Sequence, residues 1–586
     1  MSTAEAGVAG EIFERFDKLY EFDREPVSPD HLEPARHFAG LFAGEHVGGT
    51  EFVIGALFVG YGVSVADVVF GLMLGNFLAV LSWTFVCTPI SVQTRLTLYW
   101  YLRRIAGPVV TALYNVLNAI LFCILSGAMI TVAASAIRIP FGIAPQIGWY
   151  PKDPRFVLVV MGVGAVVIWL AILGFKRFAQ FSTICSPWIF CIFFAGALAT
   201  LPGLATSAGY KTGIHSFADL WSLADAHIWK RDPASHYGFW HIAGFAWICN
   251  LSMHIGLADM ALMRYAKHTW YGLFSALGMY LGHYMAWLCA GIMGAATAVL
   301  LKQDLTHIDA GEIAYQSLGV AGAMAVVVAG WTTSNPTLYR AGLALQAVTP
   351  GWPRWVVTLF AGIATVLVAC SPFVFVHLLD LVALYGILLM PIGAIVTMEH
   401  WFFPWFGLRR FWASKAGKLI NWPALVAWAG AVGASLGLYL TGALHEFFLA
   451  VPIWFLTAIL YTALSAAAGA RMAPGEAEDR SAFQPKPSAG GPRPGEPQTA
   501  AVDTADESPA RRAAVLWLSG SVAVLMFAVC LGLAIWVFVN GPESYRERLI
   551  ILKDWLMWGS VFHLASAAIW LRENERGKEA TPAAGT

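Results

Sequence analysis

Three ionisable residues lie close together inside a strongly apolar stretch near the start of the chain, namely Glu45, His46 and Glu51. An ionisable side chain at membrane depth costs about 3 kcal/mol on insertion scales and marks a functional site by default. Three interpretations of Glu45 stay open. It binds a positively charged group of a substrate, takes up a coupling proton, or pairs with His46, His254 or Arg264.

A later apolar stretch, AMAVVVAGWTTSNPTLYRAGLALQAVTP, carries oxygen atoms that suit a metal cation. Ala329, Thr332 and Thr333 are spaced i, i+3 and i+4, so they share one face of a helix. A backbone carbonyl and two hydroxyl groups are the oxygen ligands that a hard cation prefers. Alone the pattern is weak, because threonine often bonds carbonyl groups within its own helix.

The composition defines the environment of these residues. Only 12% of the 586 residues are charged, with 36 basic and 36 acidic side chains, whereas 58% are hydrophobic. A typical soluble domain has roughly 25% charged residues. The eight cysteines show no paired spacing, so neither disulfides nor a zinc site are indicated. A water-soluble enzyme, a nucleic-acid binder and a disordered protein are excluded, and the lipid bilayer is the expected partner.

The apolar stretches predict an all-α integral membrane protein with about fourteen transmembrane helices, each needing about 20 apolar residues. We expect the segment 468–511 to be a disordered linker, because its Pro, Gly and acidic residues cannot bury enough apolar surface. The predicted parts are a tail with an amphipathic helix (1–37), a ten-helix transport core (38–398), helices 11 and 12 (399–467), the linker (468–511), an extra helix pair (512–571) and a second tail (572–586).

Orientation follows from the basic residues. With the N-terminus in the cytoplasm, most of the 36 lysine and arginine side chains fall on the inner side. Both termini are therefore predicted to be cytoplasmic. Short loops and Ala/Gly-rich tails favour a bacterial plasma (inner) membrane.

The first and sixth predicted spans, 38–62 and 237–263, are poorly suited to continuous helices. Glycine destabilises a helix and frees backbone groups, which must find partners inside the protein or in a water-filled cavity. Breaks at corresponding positions of two five-span halves are typical of inverted-repeat transporters with a site at the midplane. Alternatively, the glycines only permit close helix packing. The residues concerned are Gly40, Gly44, Gly48 and Gly49 in the first span and Asn250, Ser252 and Gly256 in the sixth.

Four stretches occur in the order expected of a known family. They are GLMLGNFLAVL (71–81), GLADMALMRYAKHTW (256–270), GWTTSNPTLYRAGLALQAVTP (330–350) and MPIGAIVTMEHWF (390–402). Together they resemble the nucleobase–cation symporter-1 family, in particular its cytosine permease branch, over residues 38 to about 467. One departure is Glu399, where the family usually has Asp. The resemblance implies a five-plus-five inverted repeat of the LeuT type and ion-coupled uptake of a small heterocycle.

The resemblance also implies site residues. The family's sodium site falls on the Ala329 carbonyl and the Thr332 and Thr333 hydroxyls, completed by carbonyls of the first-span break near Glu45 to Gly48. The family's third helix presents an aromatic and an amide, for which this chain offers Tyr114, Asn115 and Asn118 outside the family's pattern. Phe245 and Trp247 are candidates for stacking on a flat ring, although packing between helices is their alternative role. Gly48, Gly49, Asn250 and Asn335 complete the candidate substrate site.

The predicted function is a cation-coupled symporter that imports a small polar nitrogen heterocycle such as a nucleobase. Sodium is the preferred coupling ion and a proton the second, and no other cofactor is expected. One alternative keeps the fold but carries an amine, an amino acid or a compatible solute, with Glu45 as counter-charge. Another is a transporter-like membrane sensor. An enzyme is not predicted, because no acid–base or metal constellation lies at a membrane surface.

Overall fold

The computed structural model describes residues 21–146, 148–210, 213–473 and 509–579. The predicted amphipathic helix of the N-terminal tail and most of the predicted linker lie outside these ranges. Within them the chain is helical, and the only extended pairings are two isolated bridges, Glu33 with Ala266 and Leu408 with Arg471. The all-α prediction is confirmed for the described part of the chain.

Long apolar segments become helices because a backbone in lipid must satisfy its own hydrogen bonds. The polar residues before them act as caps: Ser64 and Asp67 form a reciprocal capping box at the start of one long helix. The principal helices are α1 (Ala35–His46), α2 (Glu51–Gly60), α3 (Val65–Thr94), α4 (Leu98–Ile137), α5 (Pro154–Leu173), α6 (Phe175–Ser207), α7 (Phe217–His227), α8 (Phe239–Ile248), α9 (Leu251–His254), α10 (Met260–Met263), α11 (Thr269–Leu301), α12 (Ala310–Val348), α13 (Arg354–Ala369), α14 (Leu378–Phe406), α15 (Trp422–Leu440), α16 (Ala450–Ala470), α17 (Pro509–Val539) and α18 (Tyr545–Glu579).

Ten described helices are long and apolar enough to cross a membrane by length and composition. The chain is therefore a multi-pass membrane protein. The other four of the fourteen predicted spans do not meet this standard as single helices. The first and sixth are each divided into shorter helices, the ninth (α13) has 16 residues, and the last (α18) is long but less apolar.

The centre of the bundle is formed by α4 and α12, which pack closely along each other. A Cβ atom on Gly330 of α12 would lie 2.7 Å from the Ala133 side chain and 3.1 Å from the Met129 carbonyl oxygen of α4. Glycine thus allows the two backbones to approach, as small residues do between membrane helices. This contact places the Thr332–Thr333 region of α12 beside α4.

The C-terminal pair, α17 and α18, packs against α6 and α12 rather than standing apart. Tyr545 donates a hydrogen bond to the Ala199 carbonyl of α6 at 2.7 Å, and Lys553 donates one to the Gln316 carbonyl of α12 at 2.9 Å. At its far end α18 reaches the start of α1, where Glu575 lies 3.2 Å from the His37 ring. The pair is thereby attached to the bundle at both ends of α18.

Candidate functional site

The first span is interrupted where its glycines cluster. α1 ends at His46, Val47 leaves the helical region (φ −97°, ψ 59°), and α2 begins at Glu51. A Cβ atom on Gly48 would lie 2.7 Å from Thr333 Oγ1, so a larger residue here would displace the Thr333 side chain or shift the backbone. The predicted break in the first span is present.

The sixth span is interrupted as well. α8 ends before Asn250, whose backbone (φ −116°, ψ 29°) is not helical, and a single short turn (α9) follows. The chain then passes through Leu257 at a positive φ of 66° before α10 begins. The two breaks free backbone groups in the middle of the bundle.

A small cavity of about 40 Å³ lies between the two breaks. Ligand pockets usually measure about 300–1,000 Å³, so this cavity is far smaller than a typical ligand pocket. Its walls come from both broken spans and from α4, α11, α12 and α14. The lining residues are Glu45, His46, Thr50, Glu51, Ile54, Leu125, Met129, Cys249, Asn250, Met253, His283, Thr333, Thr337, Leu378, Val382 and Tyr385.

Four oxygen atoms meet beside this cavity, where α12 passes the end of α1. Thr332 Oγ1 lies 3.0 Å from the Ala329 carbonyl oxygen, and Thr333 Oγ1 lies 2.8 Å from the same oxygen. Thr333 Oγ1 also lies 3.0 Å from the carbonyl oxygen of Glu45, which the end of α1 leaves free. The predicted α12 oxygens and the predicted first-span carbonyl are thus brought together. All four are neutral oxygen ligands, so the residues present fit a hard monovalent cation such as sodium.

A buried ion-pair group adjoins the oxygen cluster. Arg340, about two turns beyond Thr333 on α12, donates to both carboxylate oxygens of Glu45 at 2.6 and 3.2 Å. The same guanidinium donates to Asp259 at 2.5 and 3.0 Å, and Trp83 Nε1 donates to the other Asp259 oxygen at 2.6 Å. The group contains two carboxylates and one guanidinium, which leaves an excess of negative charge next to the oxygen cluster.

This group corrects one sequence-based interpretation of Glu45. Its partner is neither His46, His254 nor Arg264, but Arg340. Arg264 donates instead to the carbonyl oxygens of residues 21 and 22, both at 2.6 Å. The physical reason is that α1 ends against α12, whereas Arg264 lies beyond the second half of the sixth span and binds the segment that precedes α1.

Glu51, at the start of α2, has a different environment. Its carboxylate accepts hydrogen bonds from the Thr50 hydroxyl at 3.2 Å and from Trp287 Nε1 of α11. Both donors are neutral, and in the part of the chain that the structure describes Glu51 forms no ion pair. It nevertheless lines the cavity and is only 3% exposed.

The third-span residues that were candidates for substrate binding do not reach the cavity. Asn115 donates to the Tyr99 carbonyl at 3.1 Å, and Asn118 donates to the Tyr99 hydroxyl at 3.3 Å. The Tyr114 ring packs edge-on against Trp428 at 5.9 Å. All three lie near the middle of α4, about two to three turns before the stretch of the helix that lines the cavity.

Most of the other candidate substrate residues contact neighbouring parts of the bundle instead of the cavity. Phe245 packs against Phe58 and Trp287 with ring centroids 5.5 and 5.6 Å apart. Trp247 donates to Ser82 Oγ at 3.2 Å, and Asn335 donates to the Trp331 carbonyl at 2.7 Å. Gly49 packs against α4 and α12. Asn250 does line the cavity, where its amide nitrogen lies 3.5 Å from His283 Nε2.

Sequence reasoning assigned no role to Arg340 and only mentioned Glu51. A usable signal existed for Arg340, because it follows Thr333 by about two helical turns and therefore shares its face. No such signal identifies His283, because its approach to Asn250 depends on how α11 packs against the sixth-span break.

No protein-family model matches the sequence, and a search among curated proteins finds no match. Solved structures do resemble the fold, and they define its class: the chain has a LeuT-type transporter fold. Mhp1, a transporter of the nucleobase-cation-symport-1 family, in a closed conformation with bromovinylhydantoin bound, gives a TM-score of 0.59 at 14% identity and covers 76% of this chain and 95% of its own.

Two further solved structures support the same fold. A substrate-bound, outward-open Na⁺-coupled sialic acid symporter gives a TM-score of 0.54 at 14% identity, covering 79% of this chain and 97% of its own. The inward-facing conformation of Mhp1 gives 0.54 at 14% identity, covering 77% and 94%. At such identities the likeness establishes the fold alone.

Proposed function

We propose that this protein is a sodium-coupled symporter that imports a small polar solute containing nitrogen. One observation carries the proposal: the oxygen atoms of Ala329, Thr332, Thr333 and the Glu45 carbonyl converge beside a cavity between two broken spans. Broken helices with backbone oxygens at the midplane are the way such transporters hold an ion and a solute. The solved structures of this fold include a Na⁺-coupled sialic acid symporter and a transporter with a hydantoin bound.

The charges around the oxygen cluster favour a cation. Glu45 contributes its carbonyl oxygen to the cluster and its carboxylate to the ion-pair group with Arg340 and Asp259. That group contains two carboxylates and only one guanidinium. A bound cation offsets the excess negative charge at short range. Sodium is the first choice because every ligand is a neutral oxygen, and a proton is the second.

The cavity constrains the solute and the transport cycle. At about 40 Å³ it must widen before a solute enters, which agrees with an alternating-access cycle. We propose that spans 1, 2, 6 and 7 move against spans 3, 4, 8 and 9, within a ten-helix inverted-repeat core over 38–398. Helices 11 and 12 (399–467) and the pair at 512–571 lie outside this core. We also propose that both termini lie on the cytoplasmic side of a bacterial plasma membrane.

A neutral nucleobase held by stacking is not what the geometry favours. Of the residues expected to hold a flat ring or its polar edge, only Asn250 lines the cavity, since Tyr114, Asn115, Asn118, Phe245 and Trp247 contact other parts of the bundle. The part of the wall that α4 contributes is apolar and consists of Leu125 and Met129. The rings that do line the cavity, His46, His283 and Tyr385, already pack against Phe42, Trp287 and Phe122. A small solute with a polar nitrogen therefore suits the cavity better than a stacked ring.

Sodium binding is tested by thermal unfolding of the purified protein in detergent, with sodium against choline chloride at equal ionic strength. Sodium at ten times its Kd should stabilise the wild type by roughly 1.4 kcal/mol through mass action. The Thr332→Ala, Thr333→Ala double variant should lose this stabilisation because two of the four ligands are removed.

A matched control is the Thr457→Ala, Thr462→Ala double variant of α16. Each of these hydroxyls bonds a carbonyl of its own helix at 2.7 Å, away from the cavity. Sodium should stabilise this control as it does the wild type. Equal stabilisation of both double variants would exclude the proposed sodium site.

A further inference from the structure

Glu51 is a buried carboxylate that faces the cavity without a positive partner. Its hydrogen-bond donors, the Thr50 hydroxyl, the Trp287 indole and the nearby Gly48 backbone amide, carry no charge. An ionised carboxylate has about four acceptor positions, so these donors leave part of its capacity unused. Because Glu51 lines the cavity, its remaining acceptor positions are available to a ligand there.

Several other buried carboxylates of the bundle have cationic partners, whereas Glu399, which does not line the cavity, accepts from the neutral Phe411 amide and Tyr461 hydroxyl. Glu45 and Asp259 share Arg340, and Asp309 lies 2.6 Å from Arg138. Burying a charge without a partner costs several kcal/mol, which is why buried charges are normally paired. The dipole of α2 favours a negative charge at its N-terminus, but by at most about 2 kcal/mol. A positive charge is therefore expected to approach Glu51 during function.

A second acceptor faces the same cavity. His46 Nδ1 lies 2.9 Å from the Phe42 carbonyl oxygen, and since a carbonyl only accepts, Nδ1 carries the hydrogen. In the neutral ring Nε2 is then an acceptor. This nitrogen is buried and has no hydrogen-bond partner among the described residues, although His46 lines the cavity. Glu51 and His46 thus both offer lone pairs to whatever enters.

The cavity contains no positive side chain of its own. Among its described lining residues there is neither lysine nor arginine, and much of the remaining wall is apolar, including Ile54, Met253 and Leu378. A ligand that satisfies both acceptors needs N–H donors and a positive charge. Ammonium and amidinium groups have both, whereas a quaternary ammonium group has no N–H and a neutral nucleobase has no charge.

We infer that the solute bound in this cavity carries a protonated nitrogen with N–H donors, and that Glu51 is its counter-charge. This inference rests on the proposed transport function and names the substrate class of the same cavity. The carboxylate forms a charge-assisted hydrogen bond with one N–H, and His46 Nε2 accepts a second. Glu45 is the weaker candidate for this role, because its charge is already paired with Arg340 through two hydrogen bonds.

The test uses the full-length protein in detergent at pH 7 with sodium present. The probes are two matched pairs, benzylamine with benzyl alcohol and ethanolamine with ethylene glycol, and uracil as a neutral heterocycle. Binding is measured by thermal shift and by calorimetry. At least one amine should bind at least tenfold more tightly than its alcohol, and Glu51→Gln should weaken that amine at least tenfold. Glu51→Asp, which keeps the charge, should retain part of the binding.

The matched control is Glu547→Gln, which neutralises an exposed carboxylate on α18 and should leave amine binding unchanged. Three outcomes would overturn the inference: neither amine binds, the neutral probes bind as tightly as the amines, or Glu51→Gln binds the amine like the wild type. Neutral binding that Glu51→Gln preserves would instead identify Glu51 as a protonated group.

The proposed transport function is tested independently of the inference about Glu51. If sodium stabilises the protein and the Thr332, Thr333 double variant abolishes this effect, the function stands even when no amine binds. If sodium has no effect on any variant, the sodium-coupled symporter is excluded, although amine binding that depends on Glu51 would still support the counter-charge. Sodium stabilisation of Glu51→Gln is therefore measured in the same experiment.

Discussion

Glu45 and Glu51 lie on opposite sides of one helix break, and their carboxylates have different partners. Both are 3% exposed and both line the same cavity. Glu45, at the end of α1, is held by Arg340 through two hydrogen bonds. Glu51, at the start of α2, has only neutral donors. The two residues have the same type and the same burial. Their partners differ because the neighbouring helices place different side chains beside them.

The comparison separates a structural charge from one that is free to act. The Glu45 pair joins α1 to α12 and, through Asp259, to the second half of the sixth span. If α1 moves when the cavity opens, as the proposed cycle requires, this group has to break or move as a unit. Glu51 restrains no neighbouring helix through an ion pair within the described ranges, and its carboxylate is available to a ligand.

The largest effect is expected from removing the shared cation. Arg340→Met should lower the free energy of unfolding by about 3–5 kcal/mol, because it leaves two buried carboxylates unpaired. Thermal unfolding in detergent measures it. The control is Arg231→Met, which loses an exposed contact to Asp67 at 3.5 Å and should cost less than about 1 kcal/mol. Similar losses for the two variants would mean that the Glu45–Arg340 pair is not structural.

The two carboxylates themselves should respond differently to neutralisation. Glu45→Gln should lower the free energy of unfolding by about 1–3 kcal/mol, because charged hydrogen bonds to Arg340 become weaker neutral ones. Glu51→Gln should cause no loss without ligand, since it removes a buried charge that has no cationic partner. Denaturant titration of the two variants and the wild type measures both values. Equal losses at the two positions would contradict the distinction between them.

A small effect, on stability but not on binding, is expected at Asn118. Asn118→Ala removes one buried hydrogen bond to the Tyr99 hydroxyl and should cost about 1 kcal/mol of stability. It should leave the Kd of any bound solute unchanged, because the side chain does not line the cavity. Calorimetry on the variant and the wild type tests this. A large change in Kd would restore the sequence-based assignment of Asn118 to the substrate site.

Local patterns predicted much of this molecule. The helices and the break in the first span follow from apolar length and clustered glycines, and the Ala329, Thr332 and Thr333 arrangement follows from helical periodicity. The sequence did not reveal which residues of α4 reach the cavity. A polar pattern at Tyr114 to Asn118 does not show how deep in the bundle that turn lies. At cavity depth α4 presents Leu125 and Met129, which no search for polar residues would select.

By itself, the amino-acid sequence determined that the chain belongs in a membrane, that its helices are interrupted near Gly48 and Asn250, and that three candidate cation ligands share one face of α12. These properties depend on composition and on residues a few positions apart. Only the tertiary structure decided that Arg340, 295 positions away, pairs with Glu45 and that Glu51 has no cationic partner. The reason is physical: a charge is satisfied by whichever side chain the packed helices bring within hydrogen-bond distance, and this packing is not encoded in any local pattern.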